Sequence, residues 1–411
     1  MPAGVFLLQT FLEECYNFNI RLLPIKNWAF DRSFLDLILK HIARKDFGLR
    51  DIFKISFLKP KRKFRLFQVE PTMDCNLKCC MCPWMNLRRP GSKMDWKIFE
   101  AAARYFRLAE EVDLTGGGEP LLHPRLEEMV RSAKSAGCVV GFSTNATLLF
   151  PEQTQIFLDA GIDWIAYSVD GATPETYERI RGGASFEKVM KNICGVQQLK
   201  ERRGSIKPRT MLFFVMMKEN VHELPAMVRL AKCMGIDQIV AKNLDVILKE
   251  GDDERRIFRN SGEGEVDSSV SMAVAEAREV ARDLKILLRV YELTPVEKPI
   301  CEQSPLKSLF VAWDGSVSPC INLSYIQDRC FGGKWQRFPI VRFGNVATEP
   351  LEVIWKKTEY RSFRKLLQKR GEGGSANFTE SLLPDLSPYS ERRCSSSPPP
   401  GCGVCYYLYG V

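Results

Sequence analysis

The chemistry that this 411-residue chain could perform is concentrated in its fourteen cysteines. Cys75, Cys79 and Cys82 stand at a C-x3-C-x2-C spacing, with Cys80 beside the second of them. Thiolates are the usual ligands of iron–sulfur clusters. Three close thiolates on one loop suit three irons of a cubane and leave the fourth iron free. An open coordination position marks a catalytic rather than a structural metal centre. Buried apolar cysteines are the bland alternative, disfavoured by the polar Asn76 and Lys78 in the same loop. A four-cysteine zinc knuckle that recruits Cys80 is another, disfavoured because adjacent Cys79 and Cys80 are poorly placed for one ion. Farther on, Cys301 is followed by thirteen residues, Gly315, four residues and Cys320, and the chain closes with Cys402-Gly403-Val404-Cys405. Two separated cysteines and a CxxC can complete a four-thiolate site, for a cluster or for a zinc ribbon.

Three polar motifs fall after candidate strands. Thr115-Gly116-Gly117-Gly118-Glu119-Pro120 offers close backbone approach and a carboxylate able to accept from an ammonium group. Ser143-Thr144-Asn145-Ala146 offers hydroxyl and amide groups for a ribose or carboxylate, or else a helix cap. Ser168-Val169-Asp170-Gly171 is followed by Arg179 and Arg181, and an arginine fork suits a carboxylate. Lys218, Glu219, Asn220, Lys242 and Asn243 end two later strands at the same mouth.

The elements that position these motifs follow from the apolar pattern. Candidate strands are 65–70, 111–115, 138–143, 163–168, 210–216 and 237–241. Candidate helices are 95–108, 124–136, 151–160, 174–198, 222–234 and 268–286. Strand–helix alternation argues for a parallel sheet with right-handed crossovers. Six units fall short of a full eight-unit barrel, so the fold class is α/β, a partial (β/α)6 TIM-like barrel. Chemistry in that architecture sits at the C-terminal strand ends, where the motifs lie. Past residue 290 the alternation gives way to strand-like runs at 309–312 and 340–343, a helix at 350–369 and cysteines. Residues 371–400, rich in Gly, Ser and Pro, read as a flexible excursion.

Composition supports a globular protein: 45% of residues are apolar and 27% charged. Three scattered histidines (His41, His123, His222) argue against a multi-histidine zinc site. No stretch approaches a membrane span. Residues 1–8 carry no basic residue and Glu13 and Glu14 follow soon, so no signal peptide is read. The expected location is cytoplasmic, with reduced cysteines. Residues 1–66 hold 13 Lys/Arg against 6 Asp/Glu, densest at Lys59, Lys61, Arg62, Lys63 and Arg65. That run reads as a solvated basic linker, or as a patch for a membrane surface or an acidic partner.

The cysteine loop after a first barrel strand resembles the signature of the radical S-adenosylmethionine (radical SAM) superfamily. Met81 stands where that family commonly has an aromatic residue. The C-terminal pattern, with Phe343-Gly344-Asn345-Val346 and a helix carrying Trp355 and Arg361, resembles the SPASM/Twitch auxiliary domain. Cys330 and Cys394 do not fit that pattern. Phe34, Leu35, Ile38, Leu39 and Ile42 at helical spacing read as part of a helical basic extension (1–64). The resemblance, which covers roughly residues 66–411, implies a radical SAM core (65–290) and a cysteine-rich auxiliary domain (291–411). It implies a SAM-binding 4Fe–4S cluster on Cys75, Cys79 and Cys82, and one auxiliary 4Fe–4S cluster on Cys301, Cys320, Cys402 and Cys405. Contacts to SAM are implied for Gly117, Gly118, Glu119, Ser143, Asn145, Ser168, Asp170 and Arg181. No catalytic residue is assigned. The implied activity is reductive cleavage of SAM to a 5′-deoxyadenosyl radical that takes hydrogen from a peptide or protein side chain or a cofactor precursor. The auxiliary cluster would aid electron transfer, with ferredoxin or flavodoxin as electron donor. A dehydrogenase or epimerase of a sugar, cyclitol or lipid-linked metabolite is the alternative within the family. A zinc-binding nucleic-acid module is the alternative outside it.

Overall fold

The computed structural model describes residues 62–88, 91–248, 251–259, 264–325, 327–371 and 396–411. All of them belong to one compact unit, Arg62–Val411. Residues 1–61 of the expected helical extension, Cys15 among them, together with Cys394 and most of the 371–400 excursion, lie outside the described residues.

The strands are β1 (Phe64–Val69), β2 (Lys78–Cys79), β3 (Ala109–Asp113), β4 (Val139–Thr144), β5 (Trp164–Ser168), β6 (Arg181–Gly182), β7 (Arg209–Met216), β8 (Gln238–Asn243), β9 (Leu287–Val290), β10 (Ser308–Val311), β11 (Ser316–Ser318), β12 (Gln327–Phe331), β13 (Lys334–Phe338) and β14 (Gly344–Asn345). Ten form one sheet in the order β14-β11-β10-β1-β3-β4-β5-β7-β8-β9. From β10 to β9 every pairing is parallel. The sheet does not close on itself, so the architecture is α/β with the open, mostly parallel sheet of a partial barrel.

All six expected strands are present, each within two residues of its expected bounds. Two parallel strands extend them. β9 begins shortly after the helix Ser268–Asp283 stops, with Lys285 between them in the left-handed region at φ 52°. β10 pairs with β1 (Leu66 with Ser308, Val69 with Val311), so the C-terminal segment continues the core sheet. The expected helix 174–198 is two helices, Pro174–Ile180 and Phe186–Arg202, parted by β6 and by Gly183 at φ 92°. The 340–343 run forms no strand. The strands there are instead the hairpin β12–β13, turned by Gly332 and Gly333, both at positive φ, as a two-residue hairpin loop requires. The 350–369 helix is divided at Lys357, whose ψ of 144° is extended.

Helices cover the sheet with apolar stripes. In the helix Leu126–Ser135, Leu126, Met129, Val130 and Ala133 are buried, the i, i+3, i+4, i+7 face of an amphipathic helix. Part of the basic run is spent on the fold. Arg62 Nη2 donates to the Gly137 carbonyl at 2.7 Å, Arg65 Nη2 donates to the Glu302 carbonyl at 3.3 Å, and Lys63 lies over the Phe64 and Trp355 rings. Among the described residues no helix is long and apolar enough to cross a membrane.

Phe67 is completely buried and meets Phe64 and Phe106 edge to face, with centroids 5.9 and 5.3 Å away. Phe67→Ala is expected to cost about 3–5 kcal/mol, read as a lower denaturant midpoint with an unchanged slope.

Candidate active site and auxiliary thiolate site

The cysteine loop leaves the C-terminal end of β1 and is tied down before it reaches the cleft. Thr72 Oγ1 donates to the Ser92 carbonyl and accepts from the Asp74 amide, both at 2.9 Å. β2 then pairs antiparallel with β6, which sets Cys79 opposite Arg181, and the Cys80 amide donates to the Ile180 carbonyl at 2.9 Å. Two of the three glycines after β3 are demanded by this loop. A Cβ on Gly118 would lie 2.3 Å from the Asp74 carbonyl oxygen and 2.5 Å from that of Thr72, and one on Gly117 would lie 2.4 Å from the Met73 sulfur.

Cys75, Cys79 and Cys82 line one cleft of about 270 Å³ with Gly118, Glu119, Ser143, Asn145, Ser168 and Arg181. Two of the expected contacts are set behind that surface. The Gly117 amide donates to Glu70 Oε1 at 2.7 Å. Asp170, fully buried, accepts from Arg181 Nε at 2.7 Å and from the Val215 amide at 2.6 Å. Burial disfavours the Arg181 charge, but the facing Asp170 carboxylate holds the guanidinium above its ordinary value. Asp170 thus orients Arg181, whose Nη1 donates to Cys79 Sγ at 3.8 Å.

The Glu119 carboxylate is pushed up to about 7 by burial, against the donors that favour its charged form. It accepts from Thr144 Oγ1 and the Asn145 amide at 2.7 Å and from the Leu121 amide at 3.2 Å. With no lysine or arginine in ion-pair contact among the described residues, it suits a cationic ligand group. Asn145 Nδ2 points at Asn76 Oδ1 (3.0 Å) and Cys75 Sγ (3.9 Å).

Several participants gave no local signal. Arg88 donates from Nη2 to Cys82 Sγ at 3.1 Å and from Nη1 to the Leu77 carbonyl at 2.8 Å. Arg255 donates to Cys80 Sγ at 2.8 Å and pairs with Glu219 at 3.2 Å, so Cys80 has a partner of its own. Asp245 and Val246, just beyond β8, also line the cleft.

The second group assembles from three distant segments. Cys320 follows β11, Cys402 and Cys405 share a helical turn, and Cys301 comes from the loop after β9. All four pack with Leu323, Phe338, Phe363 and Leu367. Gly401, at φ 81°, is required: its Cβ would meet Leu323 Cδ2 at 2.6 Å. Burial raises all four thiols, Cys405 to about 12. Mutual repulsion adds to the rise at Cys301, Cys402 and Cys405. Buried thiols that oppose one another's ionisation suit a metal centre, which holds its ligands as thiolates. The buried Arg329 and Arg370 favour the thiolate forms of Cys405 and Cys402. Cys330 lies apart, among Ile247, Phe258 and Tyr406. Among the described residues no three His, Cys, Asp or Glu side chains converge on a single metal ion. Cubane thiolates bind separate irons and do not need that convergence.

The family model of the radical SAM superfamily matches residues 69–231, and that of the SPASM iron–sulfur cluster-binding domain matches residues 301–376.

The chain carries a radical SAM domain followed by a SPASM domain.

The radical SAM domain implies a 4Fe–4S cluster with SAM, and the SPASM domain implies auxiliary iron–sulfur clusters. The chain is 29% identical over 305 residues to a tungsten-containing aldehyde ferredoxin oxidoreductase cofactor-modifying protein of Pyrococcus furiosus, covering 72% of this chain and 82% of that one. It is 24% identical over 336 residues to an AdoMet-dependent heme synthase of Methanosarcina barkeri, covering 76% and 88%. Its fold resembles SuiB of Streptococcus suis bound to S-adenosylmethionine, with a TM-score of 0.53 at 14% identity over 88% and 79% of the two chains.

Gly118→Ala is expected to push the radical SAM cysteine loop out of place. Iron analysis should show loss from that site with the auxiliary complement retained. Because the Glu119 carboxyl is raised on folding, it favours the fold below the ordinary carboxyl range, and that contribution is lost as pH climbs through about 7. In SAM-free protein the melting temperature should fall less steeply from pH 5 to 8 in Glu119→Gln than in the wild type.

Proposed function

We propose that this radical SAM enzyme modifies a cofactor precursor, with residues 65–290 as the catalytic core and 291–411 as the auxiliary-cluster region. The observation that carries the reading is the convergence of Cys75, Cys79 and Cys82 with Glu119, Ser143, Asn145, Ser168 and Arg181 on one cleft at the C-terminal strand ends. The donor sets fit the groups the family implies. Cys75, Cys79 and Cys82 would hold the SAM-binding 4Fe–4S cluster, and Cys301, Cys320, Cys402 and Cys405 an auxiliary one. When bound, the reduced cluster and SAM supply a 5′-deoxyadenosyl radical for hydrogen abstraction.

The protein's own residues hold and screen that chemistry. Glu119 and the glycine loop would receive the ammonium end of SAM, and Ser143, Asn145 and Ser168 would offer groups for its ribose and carboxylate. Arg181 and Arg88 place fixed positive charge that favours the thiolate forms of Cys79 and Cys75. Leu77, Met81 and Leu244 form apolar walls that keep water from the reacting centre. Four cysteine ligands at the auxiliary site would leave a cluster there no open position, which supports electron transfer over substrate binding. A low-potential donor such as ferredoxin or flavodoxin would supply the electron.

Support for a cofactor precursor as substrate comes from the two relatives, which are named for cofactor modification and for heme synthesis. A peptide or protein side chain is the other substrate class.

Anaerobically reconstituted protein should hold about eight irons per chain, four for each cluster. Reduction with SAM should release 5′-deoxyadenosine, with Cys79→Ala abolishing release. Cys402→Ala should lose about half the iron and retain uncoupled SAM cleavage. Zinc in place of iron, or no cleavage by a fully loaded protein, would overturn the reading.

A further inference from the structure

Glu70 is the residue between β1 and the cysteine loop, and it is completely buried. Its carboxylate has no lysine or arginine in ion-pair contact among the described residues. It accepts instead from three residues on two segments, the glycine loop and the stretch 313–325. The Gly117 amide donates to Oε1 at 2.7 Å, the Trp313 amide to Oε2 at 3.2 Å, and the Tyr325 hydroxyl to Oε2. The Glu70 amide itself donates to the Val311 carbonyl at 2.9 Å, at the end of β10. The approach to the glycine loop is as close as atoms allow: a Cβ on Gly116 would fall 2.1 Å from Glu70 Cγ.

Each partner leads somewhere. Gly117 belongs to the loop whose neighbours Gly116 and Gly118 line the cleft. Tyr325 follows the short helical turn Ile321–Leu323 that begins at Cys320, and its ring lies 5.6 Å from that of Trp84, two residues past Cys82. A buried carboxylate without a cation costs free energy unless its hydrogen bonds are complete. Here every donor comes from one of the two segments that the thiolate sites need in place.

We propose that Glu70 is a positioning residue through which the segment bearing Cys320 sets the glycine loop of the SAM cleft, so that the auxiliary site and the cleft are mechanically coupled. The proposal rests on the reading of that cleft as the SAM site. Tyr325 is the connecting arm: its hydroxyl and the Gly117 amide are held by opposite oxygens of one rigid group. Loosening the Cys320 turn frees the carboxylate to rotate and releases the Gly117 amide.

The test is amide hydrogen exchange followed by mass spectrometry on anaerobically reconstituted protein, alongside SAM binding by equilibrium dialysis. Tyr325→Phe deletes only the hydroxyl; Glu70→Gln puts an amide among three donors. In both, exchange of the peptide spanning 115–119 should quicken about tenfold, as expected when a buried amide loses its acceptor. The helix Leu126–Ser135 should exchange as in the wild type. SAM affinity should weaken in both variants, and the double variant should be no weaker than Glu70→Gln alone, because the two act as one unit. Faster exchange confined to 313–325 with wild-type SAM affinity would overturn the coupling. Faster exchange throughout, including 126–135, would overturn it in favour of a general role in stability. Failure of the wild type itself to bind SAM would instead remove the reading of the cleft, while the exchange pattern would still report the link between Tyr325 and Gly117.

Discussion

The site depends on one buried ion pair. Asp170 has no exposed surface, and Arg181 is nearly as enclosed, 2.6 Å away. A carboxylate there is tolerable only when fully paired, and loss of either partner leaves an uncompensated buried charge. The Val215 amide takes the second oxygen and Asn220 Nδ2 donates to the Asp170 carbonyl at 2.9 Å, so the aspartate cannot turn away. Arg181 is therefore fixed, and with it β6. The antiparallel match of β6 with β2 then fixes Cys79. One cysteine of the loop thus takes its place from an aspartate on a different segment, through an arginine that also faces the cleft.

The two thiolate groups meet the same difficulty by similar means. Burial raises sulfhydryls and opposes the charged form that binds metal. Around the first group stand Arg88 and Arg181, with Asn145 as a neutral donor. Around the second stand Arg329 and Arg370, each buried and itself held by carbonyl groups. Guanidinium serves here because it keeps its charge when desolvated and its planar fork is directional. In the first group these charges border an open cleft; in the second they are packed among apolar side chains.

What was legible in the sequence was local. The spacing of Cys75, Cys79 and Cys82, the glycine triplet, and the serines and asparagine after β4 and β5 occupy short windows, and six strands showed as apolar runs. What was not legible depends on partners far apart in the chain. Arg329, Arg370 and Tyr325 sit far from the residues they serve, or in stretches without periodicity. The β10–β1 pairing joins Leu66 to Ser308, segments from opposite ends of the fold, which no local pattern records. A long helical period across 174–198 concealed the break at Gly182 and Gly183, although those glycines were its one visible sign. Asp170 was expected to touch the cofactor. It stands one layer back, because a motif reveals which residues assemble and not which of them stands in front.

The seam between β1 and β10 has a consequence for how such a chain can be built. β1 carries the cysteine loop at its end, and both of its edges are hydrogen-bonded, to β3 on one side and to β10 on the other. Were the polypeptide divided near residue 290, β1 would become a border strand with unpaired amides and carbonyls directed at solvent. The auxiliary half is therefore no detachable cartridge. Exchange of this part between related enzymes would have to preserve a strand of the right length and phase to dock there.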